Sequence, residues 1–173
     1  MILCREPTLA DASELARVGI AAWQAGFQGL LPRAFLDGLD VDRARARWVL
    51  DLGAERAGPP HFLVAESQSV VVGFSIFGPS RDEAAPPSEA ELFALHVLPA
   101  AWRTGVGSAL LHQSLNRMRA RPFAAASLWV IEGNARARQF YERLGWKADG
   151  ATRVNTRFGD AAFPEVRYRI DLV

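Results

Sequence analysis

The 173-residue sequence has a single cysteine, Cys4, which rules out an intramolecular disulfide and a cysteine-built metal cluster. It also lacks any excess of one charge. Twenty lysines and arginines face 19 aspartates and glutamates, a net charge of +1, so neither nucleic acid nor an anionic membrane is expected as a partner. No stretch reaches the roughly twenty uncharged apolar residues of a membrane span. Met1 to Pro7 has no basic region leading into a hydrophobic run of signal length, and a cytoplasmic protein is the expectation. His61, His96 and His112 do not pair at the close helical spacing of a zinc motif, so no metal is expected. Internal repeats are missing as well, which sets solenoids and propellers aside.

Half of the residues are hydrophobic and 23% are charged, enough to bury a substantial core, and residues 1–173 have the length of one domain. Ile2 to Glu6 reads as a strand ended by Pro7. Thr8 to Ser13 offers caps for a helix with Leu15, Val18 and Ala22 on one face. A second helix is expected from about Val41 to Leu52, with Arg43, Arg45 and Arg47 in solvent. After Gly58-Pro59-Pro60 the period becomes two, and His61 to Glu66 and Val70 to Phe77 read as hairpin strands joined by Ser67-Gln68-Ser69.

Glu89 to Val97 is the next expected strand, followed by a helix from about Gly105 to Arg119. Ala126 to Ile131 reads as a strand covered on both faces, and Asn134 as the N-cap of a helix reaching Leu144. Trp146 to Val154 and Val166 to Val173 would close the sheet around a turn at Gly159-Asp160. Trp48, Trp129 and Trp146 are expected in the core. The order gives an α/β (α+β) fold, a mixed sheet flanked by helices.

The most informative stretch runs from Leu95 to Leu111. An apolar strand stops at Pro99, a short loop follows, and Gly105-Val106-Gly107 opens a helical run. Glycines let backbone amides approach a ligand, and a helix start leaves amides unpaired with a partial positive charge, an arrangement that suits phosphate. No Gly-Lys-Ser/Thr follows, so it is not a P-loop, and the third glycine of a dinucleotide fingerprint is missing. On spacing alone the loop is an anion site of modest specificity, or a pair of glycines that only permit tight packing.

Taken with Asn134-Ala135-Arg136-Ala137-Arg138-Gln139-Phe140-Tyr141-Glu142-Arg143-Leu144-Gly145-Trp146, this stretch resembles the GNAT superfamily of acetyl-CoA-dependent N-acetyltransferases. The family's second motif is matched at Asn134, Ala137, Phe140, Tyr141 and Gly145, with Trp146 as the aromatic residue. In its first motif, Trp102 takes the place of the usual Gln or Arg. The resemblance implies a mostly antiparallel sheet of about six or seven strands with one splayed parallel pair, acetyl-CoA as co-substrate, and an amine of a small molecule or peptide as acceptor. It implies pantetheine contacts at Leu95, His96 and Val97, and pyrophosphate on the amides of Arg103, Thr104, Gly105, Val106, Gly107 and Ser108. Asn134, Ala137, Phe140 and Tyr141 would form the opposite wall. The sequence leaves open both assembly as a homodimer and a catalytically silent CoA-binding module of the same fold.

Acetyl transfer needs a deprotonated amine and an acid to meet the leaving thiolate. By resemblance, Tyr141 is the acid. Glu91 is the candidate base, placed by period-two alternation on one face with Phe93 and Leu95. Trp23 and Phe27 are candidates for a wall of the acceptor pocket or for core, and Asn155 to Phe158 for a specificity loop.

Overall fold

Alternating apolar residues, broken by Pro7, Pro60 and Gly78-Pro79, divide the first half of the sheet into strands of four to ten residues. The computed structural model describes residues 1–53, 58–156 and 162–172. Within them β1 (Ile2–Arg5), β2 (His61–Ser67), β3 (Val70–Pro79) and β4 (Glu89–Val97) pair antiparallel in chain order. β5 (Ala125–Ile131) lies parallel to β4, and β7 (Phe163–Asp171) enters between β5 and β6 (Lys147–Asn155), giving the order β1-β2-β3-β4-β5-β7-β6. The expected turn at Gly159-Asp160 and the loop residues Arg157 and Phe158 lie outside the described residues.

Helices cover both faces. α4 (Val106–Arg119) and α5 (Ala135–Arg143) lie on one, where Val106, Leu110, Leu111, Leu115 and Met118 join Leu63, Phe77, Leu92, Leu128 and Tyr168 in the largest core. α4 seats on β3 through a buried polar pair: Ser114 Oγ donates to the Leu110 carbonyl and accepts from Ser75 Oγ, both at 2.8 Å. Cys4 is half-buried at the edge of this core, and burial raises its thiol pKa.

α1 (Ala12–Gly26) and α3 (Val41–Gly53) cover the other face, with the short α2 (Arg33–Asp37) between them in sequence. Leu15 and Val18 are fully buried, and Trp48 of α3 makes edge contacts with Phe62 and Phe74 at 5.4 and 5.1 Å. Arg43, Arg45 and Arg47 are exposed, as the pattern predicts. Arg5 fastens the beginning of the chain by donating to both carboxylate oxygens of Asp11 at 2.8 Å and to Glu66. The Arg5 hydrogen bonds hold the Asp11 carboxyl down at about 2.

Two sequence expectations fail on this face. Trp48 and Trp146 are core residues, but Trp129 points to the side opposite Leu128 and Val130. Its indole N–H donates to Asp82, and the guanidinium groups of Arg153 and Arg167 lie 4.3 and 5.6 Å from its ring. The alternation of Glu91, Phe93 and Leu95 also breaks, because β4 carries an extra residue: Ala94 faces Ile76, while Leu92 faces Phe77. This bulge at Phe93 puts Ala90 and Leu92 on the α4 side with Leu95 and Val97, and moves Glu91 to the side of Ala94 and His96.

His96 ties α1 to β4, with its ring 6.0 Å from Trp23 and 5.2 Å from Phe74. Burial in this apolar setting lowers its pKa from 6.5 to about 4. The folded protein therefore holds His96 neutral where the unfolded chain would take up a proton. Stability is complete above the unfolded value and is lost as pH falls from about 6.5 to about 4, by on the order of 3 kcal/mol. Urea denaturation at pH 7 and pH 4.5 should show this slope, and His96→Phe should flatten it. A slope that survives the substitution would mean that other groups carry it.

Gly19 sits inside α1, where a Cβ would meet the Phe74 ring at 3.7 Å, an ordinary contact. Nothing in the packing asks for glycine there, so Gly19→Ala should raise the unfolding free energy by about 0.5–1 kcal/mol. The urea midpoint checks it.

Candidate active site

β4 and β5 pair only at Glu89, Ala90 and Glu91, opposite Ala125, Ala126 and Ser127. Beyond Glu91 the strands diverge, because the bulge bends β4 while β5 stays paired with β7 along its whole length from Ala125 to Ile131. Leu98 N–H donates to the Val72 carbonyl, so the even residues of this end of β4 turn their backbone groups toward β3. Those of Leu95 and Val97 turn into the gap. The Val97 carbonyl is taken by the indole N–H of Trp102 at 2.8 Å.

A cavity of about 200 Å³ fills this wedge. It gathers Leu95, His96, Val97, Asn134, Ala137 and Tyr141, along with Trp23 and Phe27 from the end of α1. Trp23 and Phe27 also pack on each other, their rings 4.8 Å apart, and border the small core of Leu31, Leu36 and Ile131. They serve as wall and as core at once. Glu91 does not line the cavity; it stands at the vertex of the wedge as the last paired residue of β4.

The glycine loop lies at the open end. A 3-10 turn, Pro99–Ala101, leads through Trp102, and the Thr104 hydroxyl donates to the Ala101 carbonyl at 2.7 Å. Arg103 and Gly105 have positive φ of 65° and 91°, which turns the chain sharply into α4. The first amide bonded within α4 is that of Ala109, to Gly105, which leaves the N–H groups of Val106, Gly107 and Ser108 at the free end of the helix dipole. At Gly107 a side chain would meet the Phe140 ring at 3.4 Å, so glycine lets α5 approach α4 closely.

α5 begins where Asn134 Oδ1 accepts the Ala137 amide at 3.1 Å. It ends with Gly145 N–H on the Glu142 carbonyl and Trp146 N–H on the Tyr141 carbonyl, the two bonds of a Schellman cap. Tyr141 is thereby fixed between Phe140 and Trp146, with ring distances of 5.3 and 6.0 Å. Burial pushes its phenol pKa well above the usual value, so the hydroxyl stays protonated.

Glu91 is almost fully buried and receives the Arg81 amide at 2.9 Å and the Arg81 guanidinium at 2.6 Å. Arg81 in turn stacks on Phe93, 4.0 Å from its ring centre. No local pattern points to Arg81, which lies ten residues from its partner in a connecting segment, or to Glu165. Glu165 reaches the cavity from β7, held by Asn155 at 2.9 Å and Arg153 at 2.6 Å. The bulge in β4 turns Glu91, and a bulge has no local sequence mark here; Glu165 is brought in by the pairing of β7 with β5 and β6. Among the described residues, no group of histidine, cysteine, aspartate and glutamate could hold a metal ion, and no helix is long and apolar enough to cross a membrane.

Comparison with known proteins agrees with this geometry. Residues 24–146 match the model of the acetyltransferase (GNAT) family. The chain is 28% identical to the uncharacterized N-acetyltransferase YuaI of Bacillus subtilis over 134 residues, 78% of this chain and 74% of that protein. It is also 28% identical to the probable N-acetyltransferase Rv2775 of Mycobacterium tuberculosis over 160 residues, 92% and 88% of the two chains. Its fold is similar to that of PaiA N-acetyltransferase from Thermoplasma acidophilum, solved in complex with coenzyme A, with a TM-score of 0.77 at 17% identity over 99% of each chain. The wedge between β4 and β5, the glycine loop opening α4 and the family match identify the chain as a member of the GNAT family, an acetyl-CoA-dependent acetyltransferase.

Proposed function

We propose that the protein transfers the acetyl group of acetyl-CoA directly to a primary amine on a small molecule or on a peptide or protein. The observation that carries this reading is the inner edge of β4, unpaired by β5 beyond Glu91, where the backbone groups of Leu95 and the Val97 N–H face the wedge while the Val97 carbonyl is taken by Trp102. The pantetheine arm adds to that edge as a strand would, through its amides, and the pyrophosphate meets the amides from Arg103 to Ser108. β1 and β7 share one sheet, which supports reading residues 1–173 as a single domain.

In this reading the amine attacks the thioester carbonyl carbon, and the carbon–sulfur bond breaks as the carbon–nitrogen bond forms. Tyr141 gives its proton to the departing thiolate. The amine proton leaves toward Glu91 through water, because Glu91 stands at the vertex rather than in the cavity and already receives the N–H groups of Arg81. Trp23 and Phe27 wall the acceptor side.

Free-thiol release from acetyl-CoA against a panel of amines tests the function as a whole. Tight CoA binding with no turnover on any acceptor would favour the silent module. Tyr141→Phe should reduce kcat on the order of 10²-fold while CoA affinity stays within about twofold; unchanged turnover would remove Tyr141 from the chemistry.

For Glu91→Gln, turnover at neutral pH should fall about 10- to 100-fold and its dependence on pH should change. A thermal melt reports the lost Arg81 pairing separately. If the melt shifts but the pH profile of the residual activity does not, Glu91 is structural.

A further inference from the structure

Arg136 is placed against three local preferences at once. It lies in the first turn of α5, two residues after the Asn134 cap, where the helix dipole disfavours a cation. It is exposed, yet its surroundings desolvate the guanidinium enough to lower its pKa, although an arginine stays charged. Among the described residues it has neither a hydrogen bond nor a carboxylate partner, whereas the next arginine, Arg138, bonds to Tyr168 Oη and the Glu132 carbonyl. What holds Arg136 is Trp102: the guanidinium carbon sits 3.7 Å from the centre of the indole ring. A side chain at Gly26 would come within 3.1 Å of its Nη2, so the guanidinium spans the mouth of the wedge from α5 to the end of α1.

Trp102 is itself fixed, by its indole N–H on Val97, and it directly precedes the glycine loop. It also occupies the position where the family motif usually carries Gln or Arg. The ring therefore acts as a platform that delivers another element's cation to the site where the motif's own polar side chain is missing.

We infer that Arg136, carried on Trp102, binds an oxyanion at the mouth of the β4–β5 wedge, and that this oxyanion is the pyrophosphate of the acetyl donor. The inference rests on the acetyl-CoA reading above and assigns a residue that the loop motif does not contain. A planar guanidinium matches a phosphate with two parallel N–H donors, and the incoming charge supplies the counter-ion that Arg136 lacks. A carboxylate on the acceptor has the same chemistry. The pyrophosphate is favoured because Trp102 stands beside the loop, while Glu165, an anion, occupies the cavity on the β7 side.

Calorimetric titration of wild type and Arg136→Gln with CoA, and with S-acetylpantetheine, which has no pyrophosphate, tests this directly. The substitution should weaken CoA at least about tenfold and leave S-acetylpantetheine within twofold. Trp102→Leu should weaken CoA similarly, Trp102→Phe less, and Arg136→Gln with Trp102→Leu together should lose less than the two single losses combined. A third arm compares KM for amino acids and their amides: a rise confined to the acids, with CoA affinity intact, keeps the oxyanion site but assigns it to the acceptor. Equal losses for CoA and S-acetylpantetheine, or no change in any arm, overturn the inference. Should wild type bind no CoA at all, the acetyl-CoA reading fails first and this inference with it; wild-type binding with an unaffected Arg136→Gln sinks the inference alone.

Discussion

Everything at the site depends on a hydrogen-bonded ladder that stops after three residues. β5 is held straight by β7, and β4 is bent by one extra residue at Phe93, so the two cannot remain paired beyond Glu91 and Ser127. Backbone N–H and C=O groups are thereby turned into a wedge inside the sheet, where they require a partner. An extended chain with its own amides can supply one. Both flanking helices start at the open end of the same wedge, α4 with uncapped amides and α5 with its cap at Asn134. The bulge thus opens the strand edge, while the positive φ at Arg103 and Gly105 turns the loop into α4 and the Schellman cap at Gly145 holds Tyr141.

The other consequence of the bulge is electrostatic. Moving Glu91 away from the α4 core puts it on the side of the sheet that α1 and α3 cover only in part. There β6 and β7 contribute Arg153, Glu165, Arg167 and Arg169, and the connecting segment contributes Arg81 and Asp82. Asp82 accepts from Arg167 and from the Trp129 indole, so a carboxylate, an aromatic ring and arginines take the place of a helix as cover. Solvent screens the outer pairs, and the buried Glu91 and Glu165 carry more of the energetics. Both lie beside the wedge with their hydrogen bonds already made, which suits groups that stay in place while an amine is exchanged.

Much of this was legible from the residues. Strand and helix order followed from a change of period at Pro60, and the Asn134 cap, the Gly145 stop and the glycine loop each depend on residue types with few local alternatives. The failures share one cause. A bulge is selected by pairing with a neighbouring strand, so Phe93 looks like any other strand residue, and simple alternation puts Glu91 on the wrong face. Trp129 fails similarly: in a strand read as covered on both faces an indole looks like core, and only the arginines of β6 and β7, far away in sequence, make its outward position stable.

Trp102 and Arg136 extend that lesson to a pair. Each looks anomalous alone, a bulky ring beside a glycine loop and a cation at the wrong end of a helix. Placing the cation there costs about 0.3–1 kcal/mol, and stacking on an indole returns a comparable 0.5–1 kcal/mol. In the free protein the two effects nearly cancel, so the pair has little reason to exist for stability. Its favourable interaction is realised when an anion arrives, and the irregular residue in the loop then becomes the reason the irregular residue in the helix can stay.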